Sequence, residues 1–129
     1  MTSISVILPS FNESENIVEA ILRIEANLGA ELLEIIVVDD DSPDGTWDVV
    51  EKLKHPKVIL IRRTSEKGLA SAIARGIARS SGDIVSWLDS DLGVPPEVLG
   101  RLVAQLDEYD LAIGSRFERD GQDLRAKWI

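Results

Sequence analysis

Leu33-Glu-Ile-Ile-Val-Val38 runs without a break into Asp39-Asp-Asp-Ser-Pro-Asp-Gly-Thr46. The first six residues are too apolar for a sheet edge and read as a strand covered on both faces, the habit of a parallel sheet. The eight that follow are turn and capping types, so the strand ends at a polar rim. Upstream, residues 3–8 form a short β-branched run closed by Pro9, and residues 10–16 are again turn-rich. A helix is predicted from there to Leu28, with Ile17, Ala20, Ile21, Ile24 and Leu28 on one face. Asn12 or Ser14 is placed to cap it, Glu13 and Glu15 suit its positive end, and Gly29 stops it. Downstream, the pattern predicts a helix over 47–53, a strand over 58–61, a loop over 62–68 and a small-residue helix over 69–80.

The next strand carries the chemistry. In Asp83-Ile-Val-Ser-Trp-Leu-Asp-Ser-Asp91, residues Ile84, Val85, Trp87 and Leu88 predict a buried strand. Side chains two apart share a side, so Asp89 and Asp91 converge just past its carboxyl end. Two hard oxygen ligands with open positions left over suit Mg²⁺ or Mn²⁺ holding a phosphate-bearing substrate. Pro95 and Pro96 are expected to open a fourth helix, one of them at its first position, with Val98, Leu99, Leu102, Val103 and Leu106 as its stripe. Residues 110–115 predict a fifth strand. Alternating strands and helices imply an α/β fold, a Rossmann-like, doubly wound and mostly parallel sheet. Ligands in such folds sit outside the carboxyl ends of the strands. Residues 9–13, 39–44 and 89–91 all fall there.

The 129 residues suffice for one domain, and no repeat divides them. Acidic residues outnumber basic ones 23 to 14, and the net charge of −9 argues against nucleic acid as a partner. A phosphorylated ligand then needs a local cation or a helix N-terminus. With no cysteine, disulfides and thiolate metal sites are excluded. No signal peptide or membrane span is legible, so a cytoplasmic location is expected. His55 reads as a surface residue of a connection. Trp47 and Trp87 read as core, not as sugar platforms.

Five segments occur in a set order: Ser5-Val-Ile-Leu-Pro-Ser-Phe-Asn-Glu13, Val37-Val-Asp-Asp-Asp-Ser-Pro-Asp-Gly-Thr46, Gly68-Leu-Ala-Ser-Ala72, Leu88-Asp-Ser-Asp-Leu92 with Pro95-Pro-Glu97, and Gly114-Ser-Arg-Phe117. Together they resemble the family 2 glycosyltransferases of GT-A fold, closest to the dolichol-phosphate mannose synthase and polyprenyl-phosphate sugar synthase subgroup. The resemblance implies an inverting, metal-dependent enzyme. It would move mannose or glucose from a nucleotide sugar, GDP-mannose or a UDP-sugar, to a polyprenyl or dolichyl phosphate at a membrane surface, where the protein would be peripheral. It implies that Pro9, Phe11, Asn12, Glu13, Asp39, Asp40, Arg63 and Gly68 bind the nucleotide. Asp89 and Asp91 would hold Mg²⁺ or Mn²⁺ and the diphosphate. Arg116, with Arg125 as a further candidate, would meet the acceptor phosphate. Asp44 matches a turn where capping competes with ligand contact.

The chain also departs from the pattern. Gly93 stands where a Ser or Gln side chain often completes the metal shell. Glu66 replaces a lysine of several relatives, with Lys67 the neighbour that would substitute. Relatives continue well past the Gly-Ser-Arg-Phe segment, so residues 116–129 are expected to open an acceptor-side segment. Apolar surface near Leu111, Ile113 and Trp128 is then expected to favour self-association.

Two other frames compete. A receiver domain of bacterial signalling shares the paired aspartates, yet a full strand and helix precede them here. A non-catalytic nucleotide-binding fragment would share every donor-site residue, and turnover distinguishes it.

Overall fold

The structure, a computed structural model, describes residues 2–114 and the backbone of residues 126–128. Four strands, β1 (Ile4–Ser10), β2 (Leu32–Asp39), β3 (Val58–Arg62) and β4 (Ile84–Trp87), form a sheet in the order β3-β2-β1-β4. Every pairing in it is parallel. Helices α1 (Ile17–Leu28), α2 (Thr46–Leu53) and α3 (Leu69–Arg79) connect the strands, and α4 (Val98–Gln105) follows β4. The α/β sheet expected from the sequence is present.

The two central strands divide the core. Ile4, Val6 and Leu8 of β1, with Ile35 and Val37 of β2, pack against α1, α2 and α4 through Ile21, Val50 and Leu99. On the other face Ile7, Ile36 and Val38 meet Ala72 of α3. That helix lies close because Gly76 has no side chain: a Cβ there would stand 2.6 Å from Ile7 Cγ2. At the rim away from the polar clusters, the buried Glu34 carboxylate accepts the Ser5 hydroxyl at 2.7 Å and the Ser81 N–H at 2.6 Å. Those bonds tie the α3–β4 turn to both central strands.

Several expectations are corrected. Val85 and Trp87 are 41% and 49% exposed, so Trp87 is not core. They share the α3 face with Ser5 and Ile7, their register partners. β4 is the sheet edge, and α3 packs over β1 and β2. Leu88, pointing the other way, is buried as expected. The predicted fifth strand does not join the parallel sheet: β5 (Ala112–Gly114) pairs antiparallel with β6 (Ala126–Trp128). Leu111 and Ile113 are indeed exposed.

Neither Pro95 nor Pro96 occupies the first helical position. They form a turn whose carbonyls accept Val98 N–H and Leu99 N–H, and Glu97 is the cap residue. α1 starts at Ile17 without a side-chain cap, its first turn held by the Glu13 carbonyl instead of Asn12 or Ser14. Gly29, at φ 57°, does end it. His55 is not a surface residue: its side chain is 10% exposed, with Nε2 2.9 Å from Glu25 Oε2. Since Nδ1 accepts the Lys57 N–H at 3.0 Å, the ring hydrogen sits on Nε2. Trp47 is half-buried beneath the Arg62 guanidinium, 3.6 Å from the ring centroid. Among the described residues no helix is long and apolar enough to cross a membrane.

Candidate functional site

The carboxyl ends of β1 and β2 lie side by side, Ser10 in register with Asp39. That register explains why two polar clusters far apart in sequence become one structure. Asp39 is fully buried, and its carboxylate accepts Ser10 Oγ at 2.8 Å, Ser42 Oγ at 2.7 Å and Ser42 N–H at 2.9 Å. A buried carboxylate is tolerated only when it is hydrogen-bonded in this way. The loops after the two strands are then sewn together. Asn12 N–H donates to Ser42 Oγ, Glu13 N–H to Thr46 Oγ1, and Ser14 N–H to Asp44 Oδ2, at 2.9, 2.9 and 3.0 Å. Asp44 also accepts Thr46 N–H at 3.0 Å, so it serves the start of α2. Burial pushes the Asp44 carboxyl up, but the bonds from Thr46 and Ser14 outweigh it and hold it below its usual value.

Asp40 takes a different partner. Arg63 donates from Nε to Asp40 Oδ1 at 2.7 Å and from Nη2 to Oδ2 at 2.9 Å, a bidentate fork. The hydrogen bond to Asp40 raises the Arg63 guanidinium above its usual value. Gly68 N–H adds a third bond to Asp40, at 2.9 Å. Arg63 also reaches Ser71 Oγ and the Gly68 carbonyl, at 2.9 and 3.0 Å. At φ 118°, Gly68 holds a backbone conformation that side chains resist. The effect is a loop over residues 63–68 folded back onto the end of β2.

Between this loop and β1 lies a cleft of about 320 Å³. Pro9, Ser10 and Phe11 form one wall, and Lys67, Gly68, Leu69 and Ala72 the other, with Asp40 between them. Beside it, Leu88 N–H donates to the Ile7 carbonyl at 3.1 Å and Ser90 Oγ to the Pro9 carbonyl at 3.2 Å. These two bonds pin the Asp89–Asp91 segment against the β1 wall. Asp89 and Asp91 are both exposed, while Ser90 is buried. Asp91 Oδ1 accepts Gly93 N–H at 2.8 Å, an approach for which a residue without a side chain leaves room. Among the described residues no three His, Cys, Asp or Glu side chains gather into a metal cage. β4 ends at Trp87, so Asp89 and Asp91 lie in the turn after it and not on the strand that was expected to align them. Carboxylates remain the ligand type that suits a hard divalent cation completed by substrate and water.

Of the nucleotide residues expected from the sequence, Pro9, Phe11, Asp40 and Gly68 meet at the cleft. Arg63 stands behind it, 6% exposed, and Asp39 beneath it. Asn12 and Glu13 belong to the loop seam above. Arg116 and Arg125 lie outside the described residues. Ser10, Ser42 and Leu69 were not singled out by sequence; Ser42 follows the strand-end aspartates directly, whereas Ser10 meets Asp39 only through the β1–β2 register.

The sequence model of the family described as Glycosyl transferase family 2 matches residues 5–129. A dolichol-phosphate mannosyltransferase of Pyrococcus furiosus is 48% identical over 122 residues, covering 92% of this chain and 34% of the relative. One of Saccharomyces cerevisiae is 36% identical over 118 residues, covering 88% of this chain and 44% of the relative. The chain thus spans less than half the length of these relatives. Among solved structures, the mannosyltransferase PcManGT from Pyrobaculum calidifontis, in complex with GDP-Man and Mn²⁺, superposes with a TM-score of 0.78 at 28% identity, covering 95% of this chain and 38% of that one. Glucosyl-3-phosphoglycerate synthase of Mycobacterium tuberculosis, in complex with uridine-diphosphate, does so with a TM-score of 0.66 at 31% identity, covering 81% and 40%. The family match across nearly the whole chain, and the parallel α/β sheet it shares with GT-A glycosyltransferases, make this chain a member of glycosyl transferase family 2.

Proposed function

We propose that this chain carries the donor site of an inverting glycosyltransferase that moves mannose from GDP-mannose to a polyprenyl or dolichyl phosphate. The observation that carries the reading is the cleft at the carboxyl ends of β1 and β2, with Asp89 and Asp91 pinned beside it. GDP-mannose is favoured over a UDP-sugar because both curated relatives are dolichol-phosphate mannosyltransferases. The neighbour of higher TM-score also holds GDP-Man.

In this reading the nucleoside lies in the cleft and its diphosphate extends toward Asp89 and Asp91. Those carboxylates would hold Mg²⁺ or Mn²⁺, which supplies charge neutralisation as the diphosphate leaves. A lipid phosphate is already anionic near neutral pH, so its oxygen attacks the anomeric carbon without a general base. The bond from that carbon to the diphosphate breaks on the opposite face, which inverts the centre. The chain's share of the work is positioning and electrostatics. Arg116 is assigned to the acceptor phosphate, and residues from 116 onward to the acceptor side.

Calorimetry with GDP, UDP and their mannose and glucose adducts, with and without Mn²⁺, tests the reading. GDP and GDP-mannose are expected to bind more tightly with Mn²⁺, and Asp91→Ala to lose that gain. A folded sample that binds no nucleotide would sink it. Tighter binding of UDP would move the base assignment to uracil.

A further inference from the structure

Two ionisable residues line the cleft, Asp40 and Lys67. Asp40 is spent: its two oxygens hold Arg63 twice and Gly68 N–H once. Arg63 is spent as well, with all three of its nitrogens donating within the protein and its side chain 5% exposed. Among the described residues the Lys67 ammonium pairs with no carboxylate, although Lys67 is exposed. It is therefore the cation the cleft offers to a ligand.

The strand order says which part of a ligand it meets. Across the rim, the 63–68 loop follows β3 at one edge, and Asp89 and Asp91 follow β4 at the other. A diphosphate held at the acidic pair leaves the other end of the nucleotide at the loop. The positive end of α3 already has its anion, because Gly68 N–H donates to Asp40. The walls there are Phe11 and Leu69, 49% and 53% exposed, a pair of apolar surfaces suited to the faces of a planar base.

Resting on the donor-site reading above, we infer that Lys67 reads the acceptor edge of the nucleotide base, with Arg63 as the positioning residue that folds its loop. An ammonium donates to guanine O6 and N7; adenine presents an amino group in place of O6. Lys67 then selects guanine over adenine, and the Arg63–Asp40 fork fixes where it stands.

The test measures Kd for GMP, GDP and ADP on the parent chain, Lys67→Gln, Lys67→Arg and Arg63→Gln, each beside its urea unfolding midpoint. Lys67→Gln is expected to leave the midpoint unchanged. It should weaken GMP and GDP by the same factor, about tenfold or more for a charge-assisted hydrogen bond, and leave ADP nearly unaffected. Lys67→Arg should retain most of the affinity. Arg63→Gln should lower the midpoint. A loss that grows from GMP to GDP would make Lys67 a phosphate contact and overturn the assignment, as would no loss at all. Unchanged stability with lost affinity in Arg63→Gln would reverse the two roles. If the parent binds no guanine nucleotide while folded, the donor-site reading itself fails and this inference falls with it.

Discussion

Asp44 shows how a residue with a plausible ligand role can be claimed by the scaffold. Its carboxylate joins the start of α2 to the loop after β1 through Thr46 and Ser14. Those bonds are made to the charged form, so the folded-state pKa lies below the ordinary 3.8 despite the opposing effect of burial. The stabilisation is complete above the unfolded value and disappears as pH falls through the lower folded one. Glu97, held down by its hydrogen bond from Arg23, titrates in the same direction, so the comparison must be with a variant. The difference in urea midpoint between the parent and Asp44→Asn is expected to shrink from roughly pH 5 to pH 2. A difference independent of pH would show that the carboxylate's charge contributes nothing. Asp39 and Asp40, adjacent in sequence, have equally distinct fates because successive residues leave a strand in opposite directions. One is buried among serine hydroxyls, the other holds Arg63.

α3 and β4 illustrate how burial is decided by what packs against an element. Gly76 lets α3 settle on Ile7, and any side chain there must displace a branched residue of the central strand. Gly76→Ala is expected to destabilise by about 1–3 kcal/mol through overpacking, although alanine is the better helix former. Trp87→Ala is expected to cost only about 1–2 kcal/mol, because half of the residue is already exposed. A buried tryptophan would cost about 3–5 kcal/mol. Urea unfolding of both variants checks the pair, and a large loss in Trp87→Ala would contradict the edge position of β4. The apolar run in β4 was correctly read as a strand, but periodicity carries no information about which neighbours cover it. The same holds for residues 112–114, whose strand character was legible and whose antiparallel partner was not.

At the scale of the molecule, a net charge of −9 opposes an anionic nucleotide, so the donor site proposed above would need a local cation at Asp89 and Asp91 to offset the diphosphate charge. Ligand-linked stability follows. GDP at a hundredfold excess over Kd, with Mn²⁺, should add about 2.7 kcal/mol to unfolding, and a chelator should remove much of that gain. Equal thermal shifts with and without metal would refute the metal's part in donor binding. The sequence alone was enough for the alternation of strands and helices, the parallel sheet, the rim where the polar clusters meet and the family resemblance. These rest on local periodicity, turn chemistry and ordered motifs, all of which are written along the chain. Folding alone settled that Arg63 turns inward to Asp40 while Lys67 faces the cleft, that His55 is enclosed beside Glu25, and that Val85 and Trp87 lie on an uncovered edge. Which side chain a charge finds, and which face a helix covers, depend on residues tens of positions away brought together by strand order and register.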